Sequence, residues 1–139
     1  MDDDVLKSLL ESARTVAIVG LSTDPEKPSS VIAEILIGAG YDVIPVHPKA
    51  QEILGWTAYP SLAEIPVPVD IVDVFRPADE AAGIARAAAA IGAKTLWLQL
   101  GIASEEARTV AEAAGLRYVE DTCIGATTER LGNRAASAA

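Results

Sequence analysis

The sequence has little of what metal centres and catalytic triads require. Its one histidine is His47 and its one cysteine is Cys123, which excludes an internal disulfide and a cysteine-based metal cage. A catalytic triad would have to be built around His47, and no Gly-x-Ser-x-Gly motif accompanies that residue. We therefore predict no catalytic residue and no metal site, and we interpret His47 as a pocket wall or a neutral hydrogen-bonding group.

Aromatic residues, positive charges and long apolar runs are scarce as well. Aromatic side chains make up 4% of the chain and the formal net charge is −9, which argues against base-stacking modules and against DNA, RNA or anionic lipid as partners. No apolar run has the length of a membrane span, and the acidic start, Met1 to Asp4, is unlike a basic secretory leader. We expect a cytoplasmic protein whose anionic ligands, if it has any, are held by a local pocket.

What the chain does contain is a regular alternation of strand-like and helix-like segments. This alternation predicts an α/β fold, a doubly wound, mostly parallel, Rossmann-like sheet of about five strands between two helical layers. No linker or repeat divides the series, so we predict a single domain over 1–139, with an N-terminal helix within 1–14. The Ala-rich tail, 127–139, has too few core residues to be predicted as ordered. The predicted strands are 15–20, 42–46, 70–75, 94–100 and 116–119.

The first strand ends in a glycine that favours a phosphate site. In doubly wound sheets, ligands bind beyond the carboxyl ends of the strands, where Gly20 would let backbone N–H groups and the next helix N-terminus approach a phosphate. The spacing Gly20-x-Ser22-x-x-Pro25 departs from the Gly-x-Gly-x-x-Gly of dinucleotide enzymes, which indicates a different phosphorylated ligand. Taken alone, Gly20 would be explained as the end of a strand. The residues at the other strand ends favour a phosphate site instead.

The second strand is followed by His47, Pro48 and Lys49. A site for NAD should place an acid here, to accept hydrogen bonds from the ribose hydroxyls. A lysine instead suits a ligand with an extra phosphate near the adenosine ribose, either NADP or coenzyme A (CoA) with its 3′-phosphate. The alternative for Lys49 is a solvated surface side chain.

Two further strand ends carry residues of the kind that line a ligand channel. Arg76 follows Phe75, so that a guanidinium can bind phosphate in a bidentate manner while an aromatic ring covers an adenine or a pantetheine arm. The alternative for Arg76 is a surface arginine at a helix start. Gln99 offers an amide and Gly101 a close backbone approach, although Gly101 is explained equally well by a turn.

As a set, these segments resemble the small, single-domain CoA-binding proteins of Rossmann type, which are related to the CoA-binding domain of the succinyl-CoA synthetase α subunit. The resemblance covers roughly residues 5–123, and after Cys123 the chain lacks the basic, histidine-containing stretch that such proteins often carry. Its motifs are Val-Ala-Ile-Val-Gly-Leu-Ser at 16–22, Val-Ile-Pro-Val-His-Pro-Lys at 43–49, Val-Asp-Val-Phe-Arg at 72–76 and Leu-Trp-Leu-Gln-Leu-Gly at 96–101.

The resemblance implies a role for each residue at the strand ends. Gly20, Leu21 and Ser22 would hold the pyrophosphate, with Ser30 near it. The residues framing the adenosine and its 3′-phosphate would be Val46, His47 and Lys49, and those bordering the pantetheine path would be Phe75, Arg76, Gln99 and Gly101.

The expected function is the binding of CoA or an acyl-CoA by a carrier, sensor or regulatory module without chemistry of its own. Two alternatives stay open, an NADP-linked oxidoreductase and a subunit that docks on an acyl-CoA enzyme. An acidic, alanine-rich domain of this size is also a candidate homodimer.

Overall fold

A computed structural model of the chain describes residues 1–136. Its main sheet has five strands in the order β2-β1-β5-β6-β7, and every neighbouring pair is parallel. The strands are β1 Thr15–Val19, β2 Asp42–Val46, β3 Glu52–Ile53, β4 Trp56–Thr57, β5 Ile71–Val74, β6 Thr95–Leu98 and β7 Arg117–Val119. The helices are α1 Asp3–Ser12, α2 Pro28–Gly38, α3 Ala78–Ala90, α4 Glu105–Ala113 and α5 Ile124–Leu131.

The predicted α/β fold is confirmed, and the strand order locates the ligand crevice. The chain leaves β1 outward to β2 and then returns past β1 to β5, which pairs with β1 from Val16–Ile71 to Val19–Val74. In such a sheet the crevice opens beyond the carboxyl ends of the two strands at which the winding direction reverses, here β1 and β5. All four residues of β5 and of β6 are buried, as their continuous apolar sequences require.

The helices on the two faces of the sheet present different side chains. On the face covered by α1, α2 and α5, which we call the leucine face, the helices bury large aliphatic residues, including Leu10, Leu36 and Ile124. On the other face, covered by α3 and α4, every buried helical residue is an alanine, and we call this the alanine face. The alanines are Ala81, Ala82, Ala85, Ala88, Ala107 and Ala111.

Three local features differ from the sequence predictions. The segment after β2 forms an antiparallel hairpin, β3–β4, whereas its sequence predicts a single short strand near 56–59. Serine is a favoured N-cap residue, so the sequence predicts a cap at Ser29 or Ser30, but helix α2 begins at Pro28 and both serines lie inside its first turn. Helix α5 covers residues 127–131 of the tail 127–139 that was predicted to lack order, and residues 137–139 of that tail lie outside the described part.

Helix α5 is held by tertiary contacts that its composition does not reveal. The Ile124 N–H donates to the Gln99 side-chain oxygen at 2.9 Å, and a Cβ on Gly125 would come within 3.2 Å of the Ile32 side chain. Within residues 1–136, no helix combines the length and the apolarity needed to cross a bilayer.

Candidate functional site

Two adjoining cavities open at the carboxyl edge of the sheet. The first, of about 540 Å³, lies over the loop after β1, and we call it the cradle cavity. The second, of about 640 Å³, lies along the first half of α3, and we call it the α3 cavity. The two share Val19, Val46, Pro60, Glu80 and Ile84, so they form one continuous groove. The cradle cavity is further lined by Gly20, Leu21, Ser22, Thr23, His47, Pro48 and Arg76.

Gly20 makes the turn that opens the cradle cavity. Its φ is +94°, and a Cβ at this position would come within 2.9 Å of both the Phe75 carbonyl oxygen and the Arg76 Cδ. A side chain here would be strained by the backbone conformation and would collide with the backbone of the neighbouring strand end. The sequence therefore needs glycine at this position for the turn and for the close approach of β5.

The loop after Gly20 is fixed by its own hydroxyl and carboxylate groups. The Ser22 N–H donates to Ser29 Oγ at 3.0 Å, and the Asp24 N–H donates to Ser22 Oγ at 3.0 Å. The fully buried Ser30 hydroxyl donates to the carbonyl oxygens of Ser22 and Asp24. Ser30 thus shapes the loop from beneath and does not line either cavity.

Two backbone donors of this loop remain free for a ligand. Among the hydrogen bonds of residues 1–136, none uses the N–H of Leu21 or the N–H of Thr23, and both residues line the cradle cavity. Backbone N–H groups directed to one concavity form an anion site without any basic side chain. The loop can therefore accept a phosphate group despite the acidic character of the whole chain.

His47 organises the turn that carries Lys49. Its Nδ1 accepts the N–H of Lys49 at 3.1 Å and the N–H of Ala50 at 2.9 Å. An Nδ1 that accepts hydrogen bonds carries no hydrogen, so the neutral ring bears its hydrogen on Nε2, a donor. Lys49 itself is exposed. It follows Pro48, which lines the cradle cavity, but does not line that cavity itself.

Arg76 lies across the cradle and is already paired. Its Nε donates to Glu80 Oε1 at 3.1 Å and its Nη2 donates to Glu80 Oε2 at 2.7 Å. Phe75 precedes it, half-buried, with its side chain packed against the core of the leucine face. The aromatic ring predicted to cover the ligand is therefore partly engaged in the core.

The remaining predicted residues, Gln99 and Gly101, line neither cavity. The Gln99 side chain is buried and its oxygen accepts the α5 bond described above. The Gly101 N–H donates to Asp121 Oδ1 at 2.7 Å. The structure thus brings six of the eleven predicted residues together at the cradle cavity: Gly20, Leu21, Ser22, Val46, His47 and Arg76.

Thr23 and Glu80 line the cradle cavity but were not among the predicted site residues. Thr23 offers a backbone N–H, which no side-chain type announces. Glu80 lies four residues after Arg76 at the predicted helix start, and this spacing is the signal that could have found the pair.

One ionisable group lies just beneath the site. Asp73, on β5, is fully buried on the leucine face between Ile18 and Trp97, its partners in strand register. Within residues 1–136, neither of its carboxyl oxygens has a hydrogen-bond partner. Burial raises the pKa of this carboxyl well above 3.8, which favours its neutral form.

Comparison with known proteins confirms the resemblance inferred from the motifs. A family model described as CoA binding domain matches residues 14–129. The uncharacterized protein YneT of Bacillus subtilis is 37% identical over 119 residues, which are 86% of this chain and 88% of that protein. Acetate–CoA ligase [ADP-forming] I of Archaeoglobus fulgidus is 30% identical over 122 residues, with 81% of this chain matching 18% of the ligase.

Solved structures share the fold over nearly the whole chain. A hypothetical protein from Pyrococcus horikoshii OT3 superposes with a TM-score of 0.91 at 34% identity, covering 94% of this chain and 92% of that one. A Thermus thermophilus protein gives 0.88 at 35% identity, covering 94% and 99%. A dinucleotide-forming acetyl-coenzyme A synthetase from Ca. Korarchaeum cryptofilum gives 0.67 at 27% identity, covering 81% of this chain and 27% of that one.

Proposed function

We propose a ligand for this chain from the premise that it belongs to the CoA binding domain family. The ligand is CoA or an acyl-CoA, bound along the carboxyl edge of the sheet. The observation that carries the proposal is the cradle cavity, where free backbone N–H groups of the Gly20 loop, Arg76 and His47 meet. Such a set suits the pyrophosphate of CoA, which presents several anionic oxygens to several donors.

Lys49 gives the proposal its specificity for CoA. The turn that His47 organises projects an exposed cation just past the end of β2, beside the cradle cavity. We place the 3′-phosphate of the adenosine at this lysine. The adenosine is framed by Val46 and His47. The pantetheine arm leaves past Phe75 toward the end of β6, where Gln99 and Gly101 shape the path indirectly, Gln99 by its bond to α5 and Gly101 by its bond to Asp121.

The hydrogen bonds of His47 favour binding without chemistry. The His47 Nδ1 is occupied by two backbone donors, which leaves it no basic lone pair to activate a nucleophile. A general base needs a free acceptor within hydrogen-bond reach of the group that it activates. We therefore propose a carrier, sensor or regulatory module.

Calorimetric titration with CoA, dephospho-CoA and NADPH tests the proposal. We expect CoA to bind more tightly than dephospho-CoA, and Lys49→Gln to remove that difference. Lys7→Gln, the same charge change on α1, should leave it intact. His47→Ala should also remove the difference, because it releases the turn that carries Lys49. His47→Asn should retain the difference, because its side-chain oxygen can still accept the two N–H groups. Absence of CoA binding, or equal binding of NADPH, would overturn the proposal.

A second candidate is a subunit that docks on an acyl-CoA enzyme. The match of this chain to 18% of the Archaeoglobus ligase favours it, because there the corresponding segment is one part of a larger protein. Affinity capture of the tagged chain with and without CoA, read by mass spectrometry, should then recover a CoA-handling enzyme in a CoA-dependent manner. Sedimentation of the chain alone would identify a homodimer instead.

A further inference from the structure

We propose that Glu80 sets the affinity of the cradle cavity for its phosphorylated ligand by competing with that ligand for Arg76. The inference rests on the proposed function, because it takes the ligand to be a pyrophosphate such as that of CoA. It adds a residue that the family resemblance does not assign and whose removal should strengthen binding.

The Arg76–Glu80 contact uses the donors that a phosphate would use. The two bonds join two guanidinium nitrogens to the two oxygens of one carboxylate. This is the bidentate arrangement in which arginine also binds phosphate oxygens. A ligand phosphate that takes the same edge of the guanidinium must displace the carboxylate first.

Arg76 passes close to Gly20, at the rim of the cradle cavity. Its Cδ lies 2.9 Å from where a Gly20 Cβ would be, so the stem of the side chain crosses the loop that offers the free N–H groups. Both Arg76 and Glu80 line the cradle cavity. The guanidinium is therefore held at the site while its charge is offset by Glu80.

Glu80 is itself stabilised as an anion at this position. It lies in the first turn of α3, whose N-cap residue, Pro77, makes no side-chain capping bond. Anions are stabilised at the positive end of a helix, and the hydrogen bond from Arg76 lowers the pKa of the Glu80 carboxyl. At neutral pH an ionised carboxylate thus occupies the kind of position that a ligand anion would take.

The exposure of the pair sets the size of the effect. The side chains of Arg76 and Glu80 are 47% and 45% exposed, and half-exposed ion pairs are weak. A ligand with two or more negative charges can displace one carboxylate at small cost, whereas a singly charged ligand gains little by the exchange. The contact therefore selects for pyrophosphate-bearing ligands and against simple carboxylates.

Titration of Glu80→Gln with CoA at low ionic strength tests the inference. We expect the Kd for CoA to fall roughly threefold to fivefold relative to wild type, and the gain to shrink as salt is added. Asp79→Asn is the matched control, since it removes the same charge from the same helical turn, also near Arg76, but keeps both hydrogen bonds between Arg76 and Glu80, and it should change the Kd less than about twofold. When Arg76 is first replaced by glutamine, Glu80→Gln should change the Kd for CoA by no more than Asp79→Asn does, because the competition for Arg76 is then absent.

The outcomes separate the inference from the function on which it rests. If wild type does not bind CoA, the proposed function fails. If wild type binds CoA but Glu80→Gln matches Asp79→Asn, or binds more weakly than wild type, then Glu80 does not compete for Arg76 and the inference is wrong. Thermal unfolding of each variant, with Glu80→Ala as a second substitution, verifies that the compared proteins are folded.

Discussion

The two faces of the sheet are packed in different ways, and the candidate site lies on the side of the smaller residues. Bulky aliphatic side chains of α1, α2 and α5 fill the leucine face, whereas only alanines of α3 and α4 are buried on the alanine face. Small side chains allow a helix to approach a sheet closely. The cavity along α3 is lined by Ala82, Gly83, Ile84 and Ala87 of that helix, so the alanine face combines close packing with an open groove at its edge.

The two faces also differ in the environment that they give to an acidic side chain. Asp73 lies inside the leucine face with no hydrogen-bond partner among residues 1–136, while the carboxylate of Glu80 lies at the rim of the alanine face and is bound in a bidentate manner by Arg76. Desolvation makes an unpaired charge expensive in the core, whereas at the rim water and an arginine stabilise it. A ligand anion can therefore compete with Glu80 at the rim, whereas Asp73 in the core is out of its reach.

The largest effect is expected from a truncation on the leucine face. Leu10→Ala removes a fully buried side chain and should lower the free energy of unfolding by about 2–5 kcal/mol, measured by urea denaturation. Val31→Ala, on the exposed side of α2, is the control and should change it little. Under conditions in which Leu10→Ala stays folded, its affinity for CoA should equal that of wild type, and a large loss of affinity would contradict the separation of the two faces.

A smaller loss of stability, with a functional consequence, is expected on the alanine face. Ala85→Leu adds three carbons where the structure leaves no space and should cost about 1–3 kcal/mol of stability. Because the extra volume pushes α3 away from the sheet, the first turn with Glu80 moves as well. CoA binding should therefore weaken in the folded variant, measured by calorimetry.

Ala90→Leu, at the exposed end of the same helix, controls for the added leucine. If Ala85→Leu binds CoA like wild type, α3 does not position the site.

The smallest effect within any one pH unit, and the one that depends on pH, concerns Asp73. Its pKa is 3.8 ordinarily and is raised by burial in the folded state. Between pH 3.8 and the raised pKa of the folded state, the folded protein binds more protons than the unfolded chain, so the free energy of unfolding falls as the pH rises, by up to about 1.4 kcal/mol per pH unit. Asp73→Asn should remove this slope, measured by urea denaturation from pH 4 upward.

The advantage of Asp73→Asn over wild type should grow with pH until the folded-state pKa is passed. Glu112→Gln, which alters an exposed acid, should keep the wild-type slope. A pH dependence of Asp73→Asn identical to that of wild type would show that Asp73 is not the titrating group.

Elements whose signals are local could be predicted from the sequence. Strand β2 lies at Asp42–Val46 as its apolar pattern predicts, and Ser104 caps α4 by accepting the Ala107 N–H. Helix α5 could not be predicted, because its buried residues include Thr127 and Thr128, whose polarity conceals the buried side of the helix. Gln99 was placed on the ligand path because it follows a strand, whereas its oxygen accepts the Ile124 N–H.

The sequence by itself determined the succession along the chain of the five main strands and of helices α1 to α4, the glycine turn after β1 and the cluster of polar residues at the strand ends. These follow from periodicity and from the backbone conformations that single residue types allow, which act over a few neighbouring positions. Only the tertiary structure decided that Arg76 meets Glu80 over Gly20, that His47 holds the Lys49 turn, and that no hydrogen-bond donor or acceptor of the described chain reaches the Asp73 carboxyl. Those contacts depend on how the elements pack and on what remains within 3 Å of each polar atom once water is excluded.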